Sequence, residues 1–125
     1  MNIPNNLKYT KEHEWIKIDG NYATIGITDF AQSELGDIVF IEFLKKNEKC
    51  EIGDTIATIE AVKTVADLYA PLAGTVYEFN LNLEDAPESV NSDPYNNGWI
   101  AKIKLDEKFD SSDLLSSKDY EDLIK

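Results

Sequence analysis

The sequence predicts an all-β fold, a sandwich or barrel carrying a little helix. Three observations point there: short runs rich in Ile, Val, Thr and aromatic residues recur along most of the chain, several alternate with period two, and Gly, Pro, Asn and Asp separate them. Strands of this kind bury one face each by packing sheet on sheet. With 125 residues the chain is expected to form a single domain, 1–125, large enough for a modest core without covalent staples.

Residues 1–14 read as an extended lead-in, because Pro4 and neighbouring Asn residues oppose helix. Trp15 to Ile18, the turn Asp19-Gly20-Asn21 and Tyr22 to Ile27 make the clearest hairpin signal. Thr28 can cap a short helix from Asp29 to Leu35, closed by Gly36, where a left-handed residue is easiest. Ile38 to Phe43 is a further strand, and the charged stretch Lys45 to Glu51 reads as a surface loop. Leu35-Gly36-Asp37-Ile38 is echoed by Ile52-Gly53-Asp54-Thr55, each a glycine turn feeding a strand. Two copies are too few for a solenoid but suggest two similar half-sheets facing one another. Thr75 to Phe79 is the next strand, and Asn80 to Asn91 is polar with one helical turn at Pro87 to Val90. Turns at Asp93-Pro94 and Asn96-Asn97-Gly98 lead into a last strand, Trp99 to Leu105. Beyond Asp106 the period becomes helical: Leu114, Leu115, Leu123 and Ile124 form an apolar stripe behind Ser111 to Asp113 or Ser116-Ser117 as caps. A C-terminal helical segment is expected at about 111–124.

Formal net charge is -12 and all 12 basic residues are Lys. That disfavours nucleic acid, whose phosphates need clustered cations, and suits a soluble surface steered toward basic patches. Cys50 is the sole cysteine, so neither an intrachain disulfide nor a thiolate metal cluster can form. The N-terminus has no basic start followed by an apolar run, and no stretch is long enough to span a bilayer. A cytoplasmic protein without a membrane partner is expected.

Catalytic groups are scarce. His13 is the only histidine, so a triad or a His-rich zinc site lacks its second member, and packing at a sheet edge is its ordinary role. No sequence signal marks Cys50 as an activated thiol, and no glycine-rich phosphate cradle occurs. The chain reads as a non-enzyme with no metal site.

The stretch from Gly53 to Gly74 stands out. Thr55 to Glu60 alternates as a half-buried strand, and Leu68 to Ala70, ended by Pro71, is its return partner. The join Ala61-Val62-Lys63-Thr64 has no Gly, Asn or Asp, the residues that ease a tight hairpin turn. Lys63 is the only lysine between Lys49 and Lys102. A lysine at an exposed turn ordinarily serves solubility. One held alone at the end of a stiff hairpin, between Val62 and Val65, is also placed for another protein to grasp and modify.

The run Glu60-Ala61-Val62-Lys63, followed by Asp67-Leu68-Tyr69-Ala70-Pro71-Leu72 and Gly74, resembles the lipoyl-lysine hairpin of the glycine cleavage system H proteins. Leu7-Lys8-Tyr9, His13-Glu14-Trp15, Ile25-Gly26-Ile27-Thr28, Ala31-Gln32, Leu35-Gly36-Asp37, Val90-Asn91, Asp93-Pro94-Tyr95 and Gly98-Trp99 are similar to that family's signatures, in its order and across nearly the whole chain. The resemblance implies the barrel-sandwich hybrid of lipoyl and biotinyl domains. It implies lipoic acid in amide linkage to Lys63, with Glu14, Glu60 and Asp67 as acidic contacts for the loaded arm; a surface acid at a strand end is the plainer reading of each. The chemistry would belong to the attached cofactor. The implied partners are a pyridoxal-phosphate glycine decarboxylase, a tetrahydrofolate-dependent aminomethyltransferase, a dihydrolipoyl dehydrogenase and the lipoate ligase or lipoyl/octanoyl transferase that modifies a monomeric carrier.

The residues around the lysine separate this resemblance from its nearest rivals. Biotinyl domains place Met on both sides, whereas Val62 and Thr64 stand here; lipoyl domains of 2-oxoacid dehydrogenases usually carry Asp-Lys-Ala within longer chains. Ala61 and Thr64 replace the Ser and Ala frequent in H proteins, and Asn96-Asn97 replaces a more acidic or Gly-containing pair. An H-like protein relaying lipoate to other complexes is an alternative role. An unmodified β-sandwich interaction module is the alternative from another class.

Overall fold

The computed structural model describes residues 1–106 and 112–125. The elements in order are β1 (Lys8–Tyr9), β2 (Glu14–Asp19), β3 (Tyr22–Ile27), α1 (Asp29–Leu35), β4 (Ile38–Phe43), β5 (Glu48–Cys50), β6 (Thr55–Ala61), β7 (Val65–Tyr69), β8 (Gly74–Phe79), α2 (Asn82–Asp85), α3 (Ser89–Ser92), β9 (Ala101–Leu105) and α4 (Ser117–Ile124). Among the described residues the strands make two open antiparallel sheets, β1-β2-β3-β9-β8-β5 and β4-β6-β7. The predicted class holds: mostly β, with a few short helices including a C-terminal one.

Period-two alternation sends Ile25, Val76 and Ile103 of the large sheet against Ile41, Ile59 and Leu68 of the small one, all buried. Each such side chain stabilises the fold by about 1.5–3 kcal/mol relative to leaving it exposed. The start of β2 departs from alternation because it is covered on both faces. Ile16 enters the core between the sheets, while Trp15 packs in a second cluster with Leu7, Tyr9 and Tyr120. Opposite Trp15 in the ladder is Gly26, where an added Cβ would lie 2.5 Å from the indole Nε1, so only glycine admits the ring. The indole N–H then reaches the Pro94 carbonyl at 2.9 Å.

The β2–β3 hairpin, α1 with its Thr28 cap and Gly36 stop, and β4 match expectation. Other elements differ. The lead-in contains β1, and the loop at 45–51 contains β5, whose Cys50 is buried against β8. The return strand after Lys63 begins at Val65, so the hairpin is tighter than expected. The region 80–91 holds two helical turns. The glycine echo does not make facing half-sheets: it feeds β4 and β6, which pair side by side in one sheet. At the C-terminus the cap is Ser116, whose hydroxyl accepts Asp119 N–H; Leu114 and Leu115 precede the helix, and Leu115 forms a β-bridge with Tyr9. The cap candidate Ser111 lies outside the described residues.

Candidate functional site

The β6–β7 hairpin lacks turn-forming residues and is held from outside. Ala61 N–H donates to the Thr64 carbonyl at 2.8 Å, closing the loop, and Val62 N–H donates to the Asp37 carbonyl at 3.0 Å. The Gly36-Asp37 segment is itself fixed by Asn91 of α3. The Asn91 amide donates to the Gly36 carbonyl at 2.8 Å and to Gln32 Oε1 at 3.0 Å, while its oxygen accepts Ile38 N–H at 2.9 Å. Gly36 has φ 78, the left-handed region that favours glycine, and the Lys63 side chain lies alongside it. Lys63 is exposed and, among the described residues, makes no ion pair. Val62 and Val65 beside it are 76% and 58% exposed.

Between α1 and β7 a groove of about 380 Å³ reaches His13. Ile27, Phe30, Leu35, Ile59 and Ala66 supply apolar walls, and Glu12, Glu34 and Asp67 supply carboxylates. A second pocket of about 360 Å³ adjoins it at Glu12, lined by Thr10, Glu14, Tyr69, Pro71 and Leu114 among others. Thr10 organises the segment between them. Its backbone N–H donates to the Glu14 carbonyl, its carbonyl accepts His13 N–H, and its hydroxyl oxygen accepts the N–H groups of Glu12 and Glu14, which holds His13 at φ 66.

The three acids expected to contact the loaded arm part company. Asp67 is exposed and lines the groove. Glu14 is no surface acid: it is 2% exposed, its Oε2 accepts Tyr69 N–H at 2.7 Å, and its Oε1 accepts the Thr10 hydroxyl at 3.1 Å. Burial pushes its pKa up to about 8, against the opposing pull of those two hydrogen bonds. Glu60 pairs with Phe40 and Val65 and is not among the residues that line the groove. His13 borders the groove, and burial lowers its pKa. Cys50 is buried, which raises its thiol pKa and makes it a poor nucleophile. Gly36, Asp37 and Asn91 carry the hairpin yet drew no role from chemistry-bearing residue types. Their one signal in the sequence was membership of the family-like motifs.

An open pair of sheets holding out one lysine at a hairpin defines the class of lipoyl- and biotinyl-domain-like folds. Residues 7–125 match the family described as "Glycine cleavage H-protein", and the chain belongs to that family. It is 60% identical to the glycine cleavage system H protein of Chlorobaculum tepidum, over 99% of this chain and 98% of that one. It is 50% identical to the corresponding protein of Staphylococcus haemolyticus, over 99% and 98%. The crystal structure of a glycine cleavage system H protein from Mycobacterium marinum superposes with a TM-score of 0.82 at 34% identity, covering 94% of this chain and 95% of that one.

Proposed function

We propose that the chain is the lipoyl-carrying shuttle of the glycine cleavage system, with lipoate in amide linkage to Lys63. The observation that carries this is the exposed Lys63 amine, without an ion pair among the described residues, at a hairpin tip pinned by the Asp37 carbonyl in a member of the H-protein family. The residues fit the group: a ligase meets a small-residue turn, and the adjoining groove joins apolar walls to Asp67, Glu12 and Glu34. When bound, the lipoyl dithiolane supplies a disulfide that takes up the aminomethyl fragment of glycine and is later reoxidised.

The chain's own part is to bind and present. Acylation removes the lysine charge, so the side chain loses its preference for water, and Ile27, Phe30 and Leu35 offer it an apolar resting place. Asp67, with Glu12, offers a charge-assisted hydrogen bond to a cationic amine carried there. Glu14 acts from the neighbouring pocket, where a nearby cation favours its ionised form. None of these groups forms a nucleophile–base pair, which supports a carrier over a catalyst. The partners are then the glycine decarboxylase, the aminomethyltransferase, the dihydrolipoyl dehydrogenase and the lipoylating enzyme. We read 1–125 as one domain, supported by the core that both sheets share, working as a monomer in the cytoplasm, a reducing setting suited to its lone buried thiol.

Intact mass spectrometry of protein from a lipoate-supplied host, with peptide mapping, is expected to find one lipoyl amide on the peptide holding Lys63. Lys63→Arg is expected to abolish both the added mass and activity in a system reconstituted with the three enzymes. Activity surviving that substitution would overturn the shuttle.

A further inference from the structure

A cluster behind the groove joins three distant parts of the chain through hydrogen bonds whose direction can be worked out. The Tyr120 hydroxyl of α4 lies 2.8 Å from His13 Nδ1 and 2.7 Å from Thr28 Oγ1. Tyr120 and Thr28 are both fully buried, and Thr28 Oγ1 already accepts Ala31 N–H at 3.1 Å as the cap of α1. A hydroxyl has one hydrogen to give. Among the described residues the Thr28 O–H has one acceptor, the Tyr120 oxygen, so Tyr120 must pass its own hydrogen to His13 Nδ1. The neutral imidazole therefore carries its hydrogen on Nε2. The reverse order, with Nδ1–H donating to Tyr120 and Tyr120 to Thr28, would strand the buried Thr28 hydrogen without an acceptor. Phe30 at 4.9 Å and Tyr120 at 5.7 Å between ring centroids hold the plane of the ring. Burial, outweighing Glu12 and Glu34, keeps His13 on the neutral side.

His13 is also a wall of the groove between α1 and β7, which Leu35, Ala66 and Asp67 line as well. We propose that His13 is a positioning residue of that groove: Tyr120 and Thr28 hold it as a neutral Nε2–H imidazole, so docking of the C-terminal helix sets a hydrogen-bond donor where the arm on Lys63 rests. The complement on the arm is an acceptor, its amide carbonyl or its sulfurs. The inference rests on the arm-docking reading above. It ties the last element of the chain to a site whose lysine lies 57 residues before Tyr120.

Nitrogen–proton correlation NMR of the unlipoylated chain reads the tautomer directly. At neutral pH the wild type should show the Nε2–H form, and Tyr120→Phe should mix the two tautomers. An Nδ1–H form in the wild type, or an unchanged His13 spectrum in Tyr120→Phe, overturns the relay. Thr28→Ser, which keeps the hydroxyl, should retain the wild-type tautomer. Lipoylation of Lys63 should then move the His13 ring signals, and that movement should shrink severalfold in Tyr120→Phe. Unmoved His13 signals in the lipoylated wild type overturn the proposal. Failure of the docking reading itself is recognised separately, because the Ala66 and Asp67 amide signals would then also stay in place.

Discussion

At Glu14 a carboxyl that would be ionised in water sits beneath Tyr69 with 2% of its surface exposed, and its pKa is pushed up to about 8. The sign follows from linkage. The folded state holds this proton more tightly than the unfolded chain, so the stability it contributes is complete below the ordinary carboxylate pKa and is lost as pH rises toward about 8. Within that window the slope approaches about 1.4 kcal/mol per pH unit. Glu14→Gln keeps an acceptor for Tyr69 N–H and removes the titration. Urea unfolding across the window should show wild-type stability falling with pH relative to the variant; parallel profiles would contradict the assignment. His13, its pKa lowered by burial, titrates with the opposite sign, and the paired comparison cancels it.

Among the elements, the lysine hairpin depends on a neighbour far away in the chain. Asn91 spends its whole amide on Gln32, Gly36 and Ile38, and the Gly36-Asp37 segment in turn holds Val62 N–H. Asn91→Ala leaves Ile38 N–H and the Gly36 carbonyl without this partner and is expected to destabilise the protein by about 1–3 kcal/mol. Lipoylation of Lys63 should slow as well, measured as the modified fraction against time with the attaching enzyme. The elements legible in the sequence were those whose signals are local: the Gly20 turn between β2 and β3, the Thr28 cap, and the β4 pattern. β1 and β5 were not, because a strand of two or three residues exists only through its ladder with β2 or β8. The burial of Glu14 escaped for the same reason, since its covering residue Tyr69 is 55 positions away. Asp67, one residue before the return strand expected from the hairpin pattern, lines the groove, whereas Glu60 does not.

On the scale of the whole molecule, a net charge of -12 surrounds the lysine proposed to carry lipoate. Such a field speeds encounter with basic surfaces and is screened over about 8–10 Å at ordinary ionic strength. Association rates with the glycine decarboxylase and the aminomethyltransferase should therefore fall as salt is raised, while dissociation changes less. Stopped-flow measurements over a salt series check this, and salt-independent association would count against steering. The second cluster, which clasps α4 and the Leu115 bridge against β1, keeps both ends of the chain on one side of the large sheet.

β7 is the outermost strand of the small sheet, and the Ala61–Thr64 bond sets the ladder so that Val65, Asp67 and Tyr69 turn their backbone groups outward. A margin of this sort invites a foreign strand to zip onto it. Glu14 occupies the Tyr69 amide and Asp67 puts an acidic side chain two residues along, so two of the three outward positions on this margin oppose the addition of a strand.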